Sequence, residues 1–517
     1  MKPKTILILG VSAALIGTVL VGLRLDSLQP IWPPLLALIL AISTRRIVFS
    51  LLAGSLVGSI FAASGSTFTF LIDDLIQPVF TSSWNGTVVL FTLLCGGFAA
   101  LIQQSGGLDS LAQKLTGETR DPRRLEFSAF ILGLICFFDG LANSLIVGRT
   151  LRPAAKKMGI SSEKLAYIAD STSAPVACLA LATTWVAFQL GVIEQGLDAL
   201  ADHSIPLTSE GVLIASIGSN FYCWAALLLV PLSIHYRWGN LATKPTHHQP
   251  PEETGFDSEQ KQEGGLIWRA LVPIATFVFS LFLGLLVDGV RKSPQGTPLY
   301  EAFGFADSAL VLLISVGLAS LTAAFVLPSA SRSGAFKAWG LGCRSMLYPI
   351  FILVCAWMMG AVISELGTAQ VIAQFLNGEI GAHWLPALVF LISALIAYAT
   401  GTSWGTMALA IPIAIPLGTH LGAEAGLIPL MVAASLSGAV FGDHTSPFSD
   451  TTIISAAAAG CDPWDHVRTQ FPYALCAAAA ATLFGFIPAG FGVPNWICLP
   501  LCLAALWSLL KLWPRKS

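Results

Sequence analysis

Gly442-Asp443-His444-Thr445-Ser446-Pro447-Phe448-Ser449-Asp450-Thr451-Thr452 puts two carboxylates, an imidazole and five hydroxyls into a segment otherwise suited to hydrocarbon. Apolar, Ala- and Ser-rich sequence leads into it from Met431, and Ile453 to Ala459 follows it. Polar and ionisable groups are expensive in such surroundings and mark function when they occur. The remaining sequence reads as the frame that holds this stretch at its depth.

That frame is a membrane frame. The 517 residues are 55% hydrophobic and only 11% charged, with a mean hydropathy of +0.75, which lies outside the range of soluble domains and implies an all-α polytopic membrane protein. Apolar windows long enough to approach or cross a hydrocarbon core of about 30 Å recur along the whole length, so a soluble body with one anchor is excluded. A formal net charge of -2 implies no nucleic acid or other polyanionic partner. The ten cysteines are scattered, without a C-x-x-C pair or a Cys/His cluster, and read as small apolar residues rather than disulfides or zinc ligands. Lys2 and Lys4 before an apolar run from Thr5 to Leu23 imitate a signal peptide, but no small-residue cleavage site follows before Arg24.

The chain accordingly divides into an N-terminal transmembrane helix at 1–23, a first half at 24–237, a linker at 238–266, a second half at 267–490, and a C-terminal helix with a basic tail at 491–517. The linker, with His247, His248, Pro250, Pro251, Glu252, Glu253 and Lys261, has the makeup of a flexible connection. The halves resemble each other. Leu101-Ile102 and Leu111 to Leu115 match Val362-Ile363 and Ile372 to Leu376 at a constant offset of 261, which also sets Asp139 on Thr400 and Gly140 on Gly401. After an insertion of 12 residues, Asp170-Ser171-Thr172-Ser173 falls on Asp443-His444-Thr445-Ser446. Equivalent loops carry opposite charge. Ser105 to Arg124 holds Lys114, Arg120, Arg123 and Arg124 whereas Leu366 to Leu385 holds no Lys or Arg, and residues 328–345 hold Arg332, Lys337 and Arg344 whereas residues 64–85 hold none. Under the positive-inside rule the two halves are expected to insert upside down relative to each other, the plan of secondary transporters with broken helices and re-entrant hairpins.

Two polar breaks are expected in each half. Thr400-Gly401-Thr402-Ser403-Trp404-Gly405-Thr406, with Pro412 and Pro416 downstream, should unwind or kink a helix and free carbonyls toward a cavity; a loop whose hydroxyls bond their own backbone is the alternative. Gly401 to Gly405 also spells G-x-S-x-G, the hydrolase nucleophile elbow, which needs a strand-turn-helix context that membrane-type flanks do not offer. In the main break Pro447 interrupts any continuous helix between Asp443 and Asp450, and Ser449 or Asp450 suits the cap of a new helix near Thr451. Asp443 ends an apolar run beside His444, whose imidazole can carry a proton or simply pack. The first-half counterparts are Phe138 to Ser144, where Asp139 and Asn143 stand one helical turn apart and can face one cavity, and Asp170 to Pro175. Glu365 near a helix end reads as solvated, and the sequon Asn85-Gly86-Thr87 carries little weight.

Carboxylates, hydroxyls and unwound carbonyls are the oxygen donors that replace the hydration shell of a hard monovalent cation. A carboxylate held in low dielectric takes a proton when no cation is present, so Na⁺ and H⁺ would compete for the same oxygens. With access alternating between the two sides, that competition couples the two fluxes without a nucleotide. No G-x-x-x-x-G-K-[ST] loop for ATP is present.

Gly442 to Thr452 resembles the G-D-x-x-S-P-x-S-D-T-T signature of the NhaC-type Na⁺/H⁺ antiporter family, and Phe137 to Gly148 with Lys164 to Val176 is similar to the corresponding elements of one of its branches. The resemblance extends from about Pro30 to Ala489. It implies a multi-pass inner-membrane protein built on inverted repeats, with the termini and the central linker on the cytoplasmic side. Gly140 departs from an acid common in that branch, and Thr445 from a frequent Cys.

The resulting expectation is Na⁺/H⁺ antiport with no cofactor beyond the transported ions. Asp443 is the shared carrier, with Na⁺ at Asp443, Thr445 and Ser446, and Asp170, Asp139, Asp450, Thr172 and Ser173 are supporting ion- or proton-binding groups. His444, Asn143, Thr402 and Ser403 are placed as proton relay or solute contacts. Two alternatives stand beside it. One is a Na⁺- or H⁺-coupled exchanger of a small carboxylate or amino acid, using Asn143, Ser171, Ser173 and Trp404; the other is an intramembrane hydrolase using Ser403.

Overall fold

The computed structural model describes residues 3–44, 46–62, 67–116, 121–200, 207–237, 266–293, 306–376, 381–421 and 426–512. Apart from Leu266, the expected linker lies outside these residues, as do Arg120 of the basic loop and the end of the tail from residue 513. Among the described residues every regular element is helical. Eight helices are long and apolar enough to cross a membrane, or nine if Ser162–Leu179 and Thr184–Asp198, bent by 48° at their junction, form one span. The ten cysteines are free thiols, most of them buried, and Glu365 is the exposed last residue of Leu347–Glu365.

Four helices from each half can be set side by side in chain order. Pro122–Ile135, Gly140–Lys157, Ser162–Leu179 and Thr184–Asp198 in the first correspond to Leu385–Thr400, Ser403–His420, Leu427–Thr445 and Asp450–Ala459 in the second. Gly140–Lys157, Thr184–Asp198, Ser403–His420 and Asp450–Ala459 each begin at a side-chain cap, because the first backbone N–H groups of a helix have no intrahelical acceptor. Asp139 (φ −153, ψ 125) accepts from the Ala142 amide, and Thr402 (φ −147, ψ 120) accepts from the Gly405 amide. These matching caps pair Asp139 with Thr402, two residues beyond the Thr400 that the constant offset selects. Thr183 caps Thr184–Asp198 by accepting from the Trp185 amide, and Ser449 caps Asp450–Ala459 by accepting from the Thr452 amide.

Within each half the two breaks touch. The Thr184 amide donates to the Phe138 carbonyl at 3.1 Å. In the second half Gly401, in the left-handed region at φ 70, ends Leu385–Thr400 directly against Phe448, whose carbonyl oxygen would stand 2.9 Å from any added Cβ. Glycine is needed there for both reasons. The helix that follows the second break of each half then packs on the other half. Asp450–Ala459 packs on Gly140–Lys157, where Gly148 leaves room for Ala458, and Thr184–Asp198 packs on Ser403–His420, where Trp404 lies against Trp185 and Phe188 at 5.5 and 4.7 Å.

Two expectations about the breaks are corrected. Asp170 to Pro175 is no break: Ser162–Leu179 runs through it, and the interruption comes at Ala180 to Thr183. Pro175 removes only one backbone donor, and the hydroxyl of Thr172 bonds back to the carbonyls of Ile168 and Ala169, so the buried turn survives. Pro412 and Pro416 likewise lie inside the uninterrupted Ser403–His420, and only Gly401 and Thr402 separate that helix from Leu385–Thr400. Leu427–Thr445 approaches Leu385–Thr400 closely, since a side chain on Gly438 would strike the Phe390 carbonyl and one on Gly442 the Ala394 carbonyl. This contact sets the depth of Asp443.

Candidate functional site

Asp443 is completely buried in the last turn of Leu427–Thr445. The chain turns at Ser446 to Ser449 and comes back as Asp450–Ala459, so the start of one helix faces the end of the other. Ser449 Oγ donates to Asp443 Oδ1 at 2.6 Å and Thr451 Oγ1 to Oδ2 at 2.8 Å, while Thr452 Oγ1 donates to the Asp443 carbonyl at 3.1 Å. Ser449 is also the helix cap, accepting from the Thr452 amide. Asp450 is the first residue of that helix, its carboxylate accepts from the Thr451 amide at 2.9 Å, and its side chain is exposed.

The other candidates divide between this cluster and structural work. Thr445 spends its hydroxyl on the carbonyls of Phe441 and Gly442. Ser446 is buried beside Asp443 in sequence, with no hydrogen-bond partner for its hydroxyl among the described residues. His444 Nδ1 lies 2.9 Å from the Tyr222 hydroxyl, and its Nε2 has no partner within hydrogen-bonding geometry among the described residues. In the first half Asp139 is a cap that also accepts from the Thr184 hydroxyl at 3.2 Å. Asn143 donates to the carbonyls of Gly133 and Thr172, tying three helices together, and Ser173 donates to the Gly140 carbonyl. Thr402 is a cap; Ser403 opens the next helix with a buried hydroxyl that makes no hydrogen bond among the described residues. The G-x-S-x-G run therefore joins helix to helix, not strand to helix.

Asp170 is the second buried centre. Its Oδ2 accepts from Gln470 Nε2 at 2.6 Å and lies 3.5 Å from His466 Nε2, and its Oδ1 lies 3.3 Å from Ser455 Oγ. Gln470 also donates to the His444 carbonyl at 2.9 Å. Tyr167, Ser171, Tyr222, His444, Gln470 and Tyr473 line a small cavity beside it.

The sequence reading missed Ser449 and Thr451 as partners of Asp443, and missed His466, Gln470, Ser455 and Tyr222 altogether. One signal was available: His466 and Gln470 stand one turn apart on one face of Pro463–Ala480, polar groups on a helix otherwise bound for the membrane. Nothing in the local sequence connects Ser455 to Asp170.

Carboxylate and hydroxyl oxygens make the Asp443 cluster a hard-cation environment. Among the described residues no three His, Cys, Asp or Glu side chains gather as a multivalent metal site.

The model of the Na⁺/H⁺ antiporter family matches residues 176–491, more than half of the sequence. The chain belongs to the Na⁺/H⁺ antiporter family. This antiporter is 32% identical over 487 residues to an uncharacterized protein of Haemophilus influenzae, covering 90% of this chain and 91% of that one. It is 29% identical over 233 residues to the arginine/ornithine antiporter ArcD of Halobacterium salinarum, covering 43% of this chain and 41% of that one. Its fold is that of the YdaH transporter of Alcanivorax borkumensis, with a TM-score of 0.61 at 16% identity over 90% of this chain and 99% of that one. The antiporter is a multi-pass membrane protein and a secondary transporter, not an enzyme.

Proposed function

We propose that this antiporter exchanges Na⁺ for H⁺ at Asp443. The observation that carries the reading is the buried Asp443 carboxylate, each oxygen of which meets a hydroxyl from the facing helix, Ser449 on one side and Thr451 on the other. Na⁺ would be held by that carboxylate with the Ser449 and Thr451 oxygens, turning both hydroxyl protons outward; H⁺ would neutralise the same carboxylate when Na⁺ leaves. The helix ends on which these groups sit meet in the interior, as in transporters whose sites alternate between the two membrane faces. Matching caps and the packing of Thr184–Asp198 and Asp450–Ala459 each on the other half support two repeats, and the charge of the loops supports their inversion, with the termini and linker facing the cytoplasm of an inner-membrane protein. Everted vesicles holding the protein should dissipate a preset pH gradient when Na⁺ or Li⁺ is added. Lack of any response from demonstrably folded protein overturns the reading.

Exchange of a small amino acid or carboxylate is the second reading. It is favoured by the cavity at Tyr167 and Gln470, where Gln470 Oε1 has no hydrogen-bond partner among the described residues, and by the likeness to an arginine/ornithine antiporter. Asn143 and Ser173, already committed to backbone carbonyls, and Trp404, packed against Trp185 and Phe188, do not line that cavity. A ligand of the folded state raises its apparent stability, so a thermal-shift screen of such solutes with and without Na⁺ tests this reading. Stabilisation by Na⁺ alone, with no solute effect, excludes it.

A further inference from the structure

We infer that Asp170 and His466 form a proton-binding centre separate from Asp443, and that the helix Asp450–Ala459 couples the two. The pair goes beyond the exchange proposed above, because its proton is held on different residues and its existence does not require Na⁺.

Both side chains are completely buried, and Nε2 of His466 lies 3.5 Å from Oδ2 of Asp170. The other groups on the carboxylate, the Gln470 amide and the Ser455 hydroxyl, are uncharged. One proton taken up on Nε2 turns a bare buried carboxylate beside a neutral ring into a charge-balanced pair, and its release restores the uncompensated charge. Neither ring nitrogen of His466 makes a hydrogen bond among the described residues, and Nε2 meets Asp170 at ion-pair distance only. The titratable groups in electrostatic reach of Asp170 are His444 and Asp443 on Leu427–Thr445, Asp450 on Asp450–Ala459, Tyr222 on Phe221–His235 and His466 on Pro463–Ala480. The helix Gly140–Lys157 contributes Ser144 and Asn143 there, neither of which ionises.

Two connections lead from this pair to Asp443. Ser455 Oγ lies 2.8 Å from Ser144 Oγ and 3.3 Å from Asp170 Oδ1, and its single proton can serve only one of them. One turn earlier on the same helix, Thr451 donates to Asp443. Gln470 makes the second connection, since one amide group donates to Asp170 and to the carbonyl of His444, the neighbour of Asp443. A cation gained at Asp443 therefore disfavours a proton at Asp170, through its charge and through the helix, and the effect is reciprocal.

Infrared difference spectroscopy of the purified full chain in nanodiscs, stepped between roughly pH 5 and 9 without Na⁺, reads the pair directly. A carboxylate-imidazole transition should appear that is lost in both D170N and H466Q and kept in D443N. A transition that survives in the folded D170N or H466Q variant, or that vanishes in D443N, overturns the separate centre; H466Q alone decides if D170N does not fold. Added Na⁺ should move the transition to lower pH in the wild type, and S455A should reduce that movement at least twofold while keeping the transition. An undiminished movement in S455A overturns the coupling. A pair that titrates in a chain whose thermal stability and spectrum both ignore Na⁺ overturns the coupling and the Na⁺ exchange together, and leaves the proton centre standing.

Discussion

Thr451 and Ser455 stand one turn apart on Asp450–Ala459, yet they serve carboxylates from different halves of the chain: Thr451 donates to Asp443 at 2.8 Å and Ser455 lies 3.3 Å from Asp170. A ten-residue helix thus touches both buried acids, and its position should matter more than its short length suggests.

Asp443→Asn keeps the shape of the side chain and removes its charge. In everted vesicles the Na⁺-driven collapse of a pH gradient is expected to fall at least about a hundredfold, since the cation loses its only formal counter-charge in the proposed site. A variant with wild-type activity would remove Asp443 from the carrier role.

Thr451→Val removes one hydroxyl from Asp443 at nearly constant volume, while Ser449→Ala removes both a hydroxyl and a helix cap. A hydrogen bond to a charged group contributes about 1.5–3 kcal/mol and a cap about 1 kcal/mol. Thr451→Val should therefore weaken the apparent affinity for Na⁺ about tenfold or more and lower thermal stability, and Ser449→Ala should lower stability further by the lost cap. Titration of the transport response against Na⁺, beside a melting curve, separates the two effects.

Thr445→Val should change Na⁺ affinity less than about threefold, because its hydroxyl is spent on the carbonyls of its own helix. Measured beside Thr451→Val, it distinguishes the hydroxyls that face Asp443 from those that merely neighbour it in sequence. A loss as large as that of Thr451→Val would return Thr445 to the ion site.

Gly401→Ala forces a side chain into the left-handed region and toward the Phe448 carbonyl. The expected cost is about 1–3 kcal/mol, seen as a lower melting temperature and a smaller monodisperse fraction on size exclusion. The same substitution at Gly86, around which a Cβ would meet nothing within 4 Å, is the control.

How much of this was legible beforehand differs from residue to residue. Asp443 stood out because an acid closing an apolar run has few structural excuses, and the turn after it because Pro447 forbids a continuous helix. Asp450 was read as either a cap or a ligand; the cap fell to Ser449, and Asp450 followed as the first residue of the helix. Asp170 was found as an acid but mistaken for part of a break, since the polar run Asp170-Ser171-Thr172-Ser173 before Pro175 looks the same whether its hydroxyls face a cavity or bond back to their own helix.

By itself, then, the sequence determined an all-helical membrane protein and singled out the segment around Asp443 as a polar stretch within it. Those properties follow from hydropathy and local helix-breaking along the chain. Only the tertiary structure decided which groups each acid meets. Ser449 and Thr451 come to Asp443 across a turn, whereas Ser455, His466 and Gln470 reach Asp170 from residues some three hundred positions away. Such partners are chosen by how helices pack, through close approaches like that of Gly442 to Ala394, and packing of distant segments leaves no local mark in a sequence.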